Sequence, residues 1–301
     1  MTLQSFYSYI QKNFQNPDEL YEICAIYEKE IKNTPLLDSL EQAIKHIPHR
    51  LYGEFPFYGE FRCVDFFEIL NSAAKAALNR DAFYLAVYIA LCIGAKQRLC
   101  GMGVAESVAE QTLSGIALWA KKHKRISGSY GLPDYRWCTR YLCGAVLRFG
   151  SLEFEPCLNR DVRLPQKSDD GLKINVHIPE GTDFSYEARR ASYLDAYDFY
   201  SGVFSKTNLV FVCESWLLSL DHEALGQCNI NSFRRDFNIY NYYYDAEKDF
   251  LWRIFGNADI NDPYNLPQSN RLMRLYRQKL LNGEKFCSGT GYFVISNRKI
   301  L

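Results

Sequence analysis

The spacing of apolar residues changes near residue 150, and this change limits the folds open to the chain. Before it, apolar residues recur every three or four positions. Ala105, Ala109, Leu113, Ile116 and Ala120 fall on one helix face, as do Tyr135, Cys138, Leu142, Ala145 and Phe149. Leu20 to Ile31, Phe66 to Leu78 and Ala82 to Ile93 read as helices too, and Pro133 suits a first turn. After it, Leu172, Ile174, Val176 and Ile178 alternate with Lys173, Asn175 and His177, the period of a strand with two distinct faces. Leu209 to Cys213 is a short unbroken apolar run, suited to a central strand buried on both sides. Between these strands, Tyr193, Leu194, Tyr197, Tyr200 and Phe204 mark one face of a helix. Strand, helix, strand in that order is a βαβ unit with parallel strands. The expected class is α+β or mixed α/β. A helical N-terminal domain over residues 1–150 packs on a mixed β-sheet C-terminal domain over residues 151–301.

The rest of the second half fits that frame. Phe237 to Tyr244 is a strand, Leu272 to Leu280 a helix closed by Asn282-Gly283, and Gly291 to Ile295 a final strand. His49 to Arg62, rich in Pro, Gly and aromatics, and the polar stretch Asn159 to Gly171 read as loops. No repeat of fixed period appears, which argues against a helical solenoid. No Gly/Ser/Pro-rich linker separates the halves, so they are expected to pack as one body.

Composition removes several classes of function. Lys plus Arg and Asp plus Glu both number 35, and nucleic-acid binders normally carry a basic excess. The one dense basic run, Lys121, Lys122, Lys124 and Arg125, reads as a solvated helix end whose cations complement the dipole. The start lacks a basic segment followed by an apolar core. The most apolar window, Ala82 to Ala95, is shorter than the ~20 residues that span a bilayer and reads as a core helix. Neither a nucleic-acid nor a membrane partner is expected. The ten cysteines form no CxxC, and no His lies at zinc-site spacing from a Cys pair, so reduced thiols, a cytoplasmic location and no metal are expected.

Ligands of open α/β sheets collect at the carboxyl ends of parallel strands. Two loops qualify: His177-Ile178-Pro179-Glu180-Gly181-Thr182-Asp183-Phe184-Ser185 after the first strand, and Cys213-Glu214-Ser215-Trp216 after the second. The helix after Ser185 directs its free N–H groups toward such a cleft and favours an anion, although Thr182, Asp183 and Ser185 are also ordinary N-caps. His177 is a candidate proton acceptor near neutral pH, or a structural imidazole bonded to a loop carbonyl. Glu214 is a candidate base or a helix-start carboxylate. Ser215 is a candidate nucleophile, or a cap, since it lacks the G-x-S-x-G elbow. Gln97 to Gly103 matches the Q/R-x-x-G-x-G/A pattern of CoA-binding loops but follows a helical segment, so it reads as an interhelical turn. Gly289-Thr290-Gly291 also reads as a turn.

Several stretches carry a family resemblance: Gly131-Leu132-Pro133-Asp134-Tyr135-Arg136-Trp137, Leu147 to Glu155, Val176-His177-Ile178-Pro179, Cys213-Glu214-Ser215-Trp216-Leu217-Leu218, and Asn229-Ile230-Asn231-Ser232-Phe233. On these the chain resembles a bacterial family of GNAT-like acyltransferase-domain proteins, which pair a helical N-terminal domain with a GNAT-like C-terminal domain. The resemblance implies an acyl-CoA (acetyl-CoA) donor wedged between two splayed parallel strands, here those ending at Ile178 and near Cys213. The acceptor expected is a small molecule or peptide, which the sequence does not name. Phosphate contacts would fall to Ile178, Gly181, Thr182, Ser185 and Arg189, and catalysis to His177, Glu214 and Ser215. The chain departs from the family loop in having only Gly181 between Pro179 and Ser185, which limits how closely backbone amides approach a diphosphate. Two readings follow: an acyl-CoA-dependent N- or O-acyltransferase, or a GNAT-like binding or regulatory module without the chemistry. A hydrolase built on Ser215 stands further off.

Overall fold

The computed structural model describes residues 3–52, 55–57, 61–158, 171–245 and 250–301. In the first half run helices α1 (Leu3–Asn13), α2 (Tyr21–Ile26), α3 (Leu36–Lys45), α4 (Val64–Ala73), α5 (Arg80–Gly101), α6 (Glu106–Leu113), α7 (Gly115–Ser127) and α8 (Tyr135–Cys143). Within the expected loop at His49 to Arg62, β1 (Arg50–Tyr52) and β2 (Phe55–Phe57) pair as a short antiparallel hairpin. Residues 53–54 and 58–60 of that stretch, and 159–170 of the other expected loop, lie outside the described residues.

Helix α5 is the axis of this half. Asn79 caps it by accepting from Ala82 N at 3.1 Å, and every residue from Ala82 to Cys92 is buried. Its 22 residues exceed the expected apolar window and are long and apolar enough to cross a bilayer. Burial against α1, α2, α3, α6 and α8, not shortness, makes it a core helix. The helix expected from Ala105 to Ala120 is two, α6 and α7, meeting at Ser114-Gly115. There the Tyr141 ring stands 2.9 Å from where a Cβ on Gly115 would lie. The series through Phe149 also divides. Gly144 adopts φ +74°, ending α8, and Phe149 falls on a strand.

The second half is built on β3 (Leu147–Phe149), β4 (Leu152–Leu158), β5 (Leu172–His177), β6 (Asn208–Ser215), β7 (Asn238–Asp245), β8 (Phe286–Ser296) and β9 (Lys299–Ile300). Sheet order is β3-β4-β5-β6-β8-β7, with β9 beside β8. β5 and β6 are parallel, the other neighbours antiparallel. The expected βαβ unit is therefore present. Its helix α9 (Tyr186–Phe204) is capped by Ser185 and lays Tyr193, Tyr197, Tyr200 and Phe204 on the sheet. Tyr193 meets Phe293 at 4.7 Å, and Phe211 stacks on Phe293 at 5.1 Å. Short helices α10 (Asn229–Arg234) and α11 (Trp252–Phe255) and the longer α12 (Arg271–Leu281) complete this half. One apolar cluster runs from Phe6 to Ile295 through helices and sheet alike.

The expected turn at Gly289-Thr290-Gly291 lies inside β8, opposite the end of β6. A Cβ at Gly289 would lie 2.9 Å from the Leu218 carbonyl oxygen. The glycine lets the one-turn helix at Trp216–Leu218 rest on the strand, and so fixes where the chain goes after Ser215.

Candidate active site

β5 and β6 pair at only two positions, Ile174↔Phe211 and Asn175↔Val212. Beyond them each strand follows its other neighbour: β5 stays registered to β4 through Glu153↔His177, and β6 to β8 through Ser215↔Gly289. The carboxyl ends part, and the gap opens into a cleft of about 980 Å³. Val176 to Gly181 line it from β5, Glu214 to Leu217 from β6, and α7 with Trp252 and Arg253 adds further wall. Trp119, Trp137, Trp216 and Trp252, all four tryptophans of the chain, line this cleft.

His177 stands at the parting. Its Nε2 lies 3.0 Å from Glu155 Oε2, and Trp137 packs edge-on against the ring at 5.0 Å. Arg140 Nε donates to the other Glu155 oxygen at 3.0 Å. Burial pushes the Glu155 carboxyl upward, but His177 and Arg140 together outweigh it and hold the group below its ordinary value. An ionised Glu155 places the Nε2 proton on the imidazole and leaves Nδ1 as its basic atom.

Glu214 and Ser215 reach the same cleft from β6. Glu214 accepts from Tyr243 Oη at 2.9 Å. Ser215 Oγ accepts from Leu217 N at 3.1 Å, which makes it the cap of the following turn. The structure thus brings His177, Glu214 and Ser215 into one space, as expected.

The expected phosphate residues separate. Ile178 and Gly181 line the cleft. Gly181 has φ +72°, and an added Cβ would meet nothing within 4 Å, so the turn requires the glycine and no close approach does. Thr182 Oγ1 donates to the Ser151 carbonyl at 2.7 Å, and Ser185 Oγ accepts from Ala188 N at 3.3 Å. Arg189 is a correction. It is fully buried and donates to Asp236, Ser232 and the Phe184 carbonyl, because its helix position points into the packing beneath α9, away from the cleft.

Residues 1–144 match the family described as the N-acyltransferase N-terminal domain, and residues 146–293 match the GNAT-like C-terminal domain. The chain belongs to this two-domain family of GNAT-like acyltransferases. Solved acyltransferases share its fold. One in complex with decanoyl-CoA is 17% identical over 98% of this chain and 99% of its own, with TM-score 0.66. Another, in complex with decanoyl-CoA and teicoplanin, is 20% identical over 96% of this chain and 82% of its own, with TM-score 0.64. No curated protein matches the chain.

Tyr141 and Glu153, which also line the cleft, are not among the residues expected from the sequence. Tyr141 Oη accepts from Trp119 Nε1 (3.2 Å) and Trp137 Nε1 (3.0 Å) and lies 3.0 Å from both oxygens of Glu153. Burial raises the Glu153 carboxyl above its ordinary value. The signal was the alternation Leu152-Glu153-Phe154-Glu155, which sets two acids on one strand face. Among the described residues no cluster of His, Cys, Asp or Glu is disposed to hold a metal.

Proposed function

We propose that the protein transfers an acyl group from an acyl-CoA to an amine or hydroxyl of a small-molecule acceptor, with His177 as general base. The observation that carries this reading is the parting of β5 and β6 around His177, in a cleft built by both halves of the chain. The facing strand edges offer backbone N–H and C=O groups to an extended thioester chain, as a sheet edge receives a peptide. Leu118, Leu217, Phe250 and Phe286 beside the tryptophans suit a hydrophobic acyl group. The solved relatives hold decanoyl-CoA, and a medium-length acyl chain is the donor proposed here.

In the reaction the acceptor nitrogen or oxygen attacks the thioester carbonyl and gives its proton to His177 Nδ1. The C–S bond then breaks and the CoA sulfur leaves with its electron pair, taking a proton as it departs. Glu155 fixes the imidazole tautomer and stabilises the imidazolium formed, while Arg140 adds to the pairing with His177 that holds Glu155 ionised. Glu214 and Ser215 serve as polar contacts for the acceptor on the facing lip.

Release of thiol from decanoyl-CoA in the presence of small amines and alcohols tests this. His177→Gln should lower turnover ~10²-fold or more with little change in melting temperature. Normal turnover in that variant, or its unfolding, assigns His177 to structure.

A further inference from the structure

The α9 N-terminus, where a GNAT-like fold is expected to hold the CoA diphosphate, is poorly furnished for it here. Asp183 Oδ1 accepts from Ser185 N at 2.9 Å, and this bond holds the Asp183 carboxyl below its ordinary value, so a negative charge occupies the helix start. Ser185 Oγ is spent on Ala188 N, and Arg189 is sealed beneath the helix.

The cations of the cleft come from elsewhere. α7 passes along it from Gly115, which packs on Tyr141, to Arg125, which pairs with Glu180 in the loop after β5. Its last turns present Lys121, Lys122 and Arg125 to the cleft, and Arg253 joins them from α11. Lys122 Nζ is held between two indoles, 4.1 Å from the Trp119 centroid and 3.6 Å from that of Trp252. Its one salt-bridge partner among the described residues, Asp134, is 3.6 Å away, and Glu180 attracts it from further off. Burial, with Arg253 adding like-charge repulsion, holds the Lys122 amine below the usual lysine range. A cation so placed gains from an arriving anion. In this part of the cleft four cations face two carboxylates, Asp134 and Glu180.

We infer that the phosphate groups of CoA are bound by Lys121, Lys122 and Arg125 of the helical half together with Arg253, instead of by the α9 N-terminus. This rests on the acyl-CoA reading above and gives the helical half a defined task, completing the donor site. The basic run at the end of α7 is then a phosphate clamp as well as a helix terminus. Lys121 and Arg125, four apart, lie on one face and can reach one phosphate jointly.

The test is calorimetric binding of CoA, 3′-dephospho-CoA and pantetheine to the whole chain. The wild type should bind CoA more tightly than dephospho-CoA and pantetheine, and added salt should weaken only the phosphorylated ligands. Lys121→Ala with Arg253→Ala, both at exposed positions, should weaken CoA ~10-fold or more and leave pantetheine unchanged. Asp183→Ala should leave CoA affinity within about twofold. Unchanged CoA affinity in the double variant, with marked tightening in Asp183→Ala, overturns the assignment and returns the phosphates to α9. A wild type that binds none of the three ligands overturns the acyl-CoA reading itself, and this inference with it.

Discussion

Glu155 Oε2 lies 3.0 Å from His177 Nε2, while Arg140, from the helical half, holds the other Glu155 oxygen at 3.0 Å. The candidate base is therefore oriented by a carboxylate that His177 itself and, with it, Arg140 of the N-terminal half hold ionised. Glu155→Gln still accepts from Arg140 but no longer stabilises the imidazolium. Turnover should fall ~10-fold or more with the acyl-CoA Kd nearly constant. Steady-state kinetics beside equilibrium binding checks this; equal losses in both would make Glu155 a binding residue.

Buried His222 should cost the protein stability in acid. Its Nδ1 meets the Leu217 carbonyl at 3.2 Å, so Nδ1 carries the proton and Nε2 accepts from Tyr276 Oη at 2.9 Å. Burial lowers its pKa from 6.5 to about 4. Between those values the unfolded chain binds the proton and the native state does not, so stability is complete above the upper value and falls as pH drops. The loss by the lower value is about 3 kcal/mol. Urea unfolding across this window should show the slope, and His222→Gln should flatten it.

Glu153 acts in the opposite sense. Burial raises its folded pKa, so above the ordinary carboxylate value the native state retains a proton that the unfolded chain gives up. Glu153→Gln removes this penalty while its amide oxygen still accepts from Tyr141. The variant should melt higher than wild type at neutral pH, with the gain shrinking as pH falls toward the ordinary carboxylate range. Calorimetry at several pH values decides it.

Gly289→Ala forces a Cβ to 2.9 Å from the Leu218 carbonyl oxygen. Because the contact is backbone, relief requires the turn carrying Trp216 to move. A cost of roughly 1–3 kcal/mol is expected, together with altered tryptophan emission.

How much of this was legible in the sequence depends on how local each cause is. The βαβ unit was plain because the alternation from Leu172 and the apolar run at Leu209 set the strand faces directly. The placing of His177, Glu214 and Ser215 around one cleft followed from the rule that ligands gather at strand ends. Arg189 was misplaced because helix phase near a cap is ambiguous, and only the packing of Asp236 and Ser232 against α9 fixes where it points. Gly115, at the α6–α7 junction, packs on the Tyr141 ring 26 residues beyond it, and Gly289 on the Leu218 turn; no window contains either contact. The basic run read as a helix end, which it is, and nothing nearby in sequence says that its helix lies along the parting of β5 and β6.

An acyl-CoA bound between β5 and β6 would lie against the four cleft-lining tryptophans, which report on it directly. Titrating the protein with decanoyl-CoA should give a saturable change in tryptophan emission, reversed by competing CoA, together with a rise in melting temperature that follows ligand concentration. Emission and melting temperature that stay unchanged up to millimolar decanoyl-CoA would contradict the account.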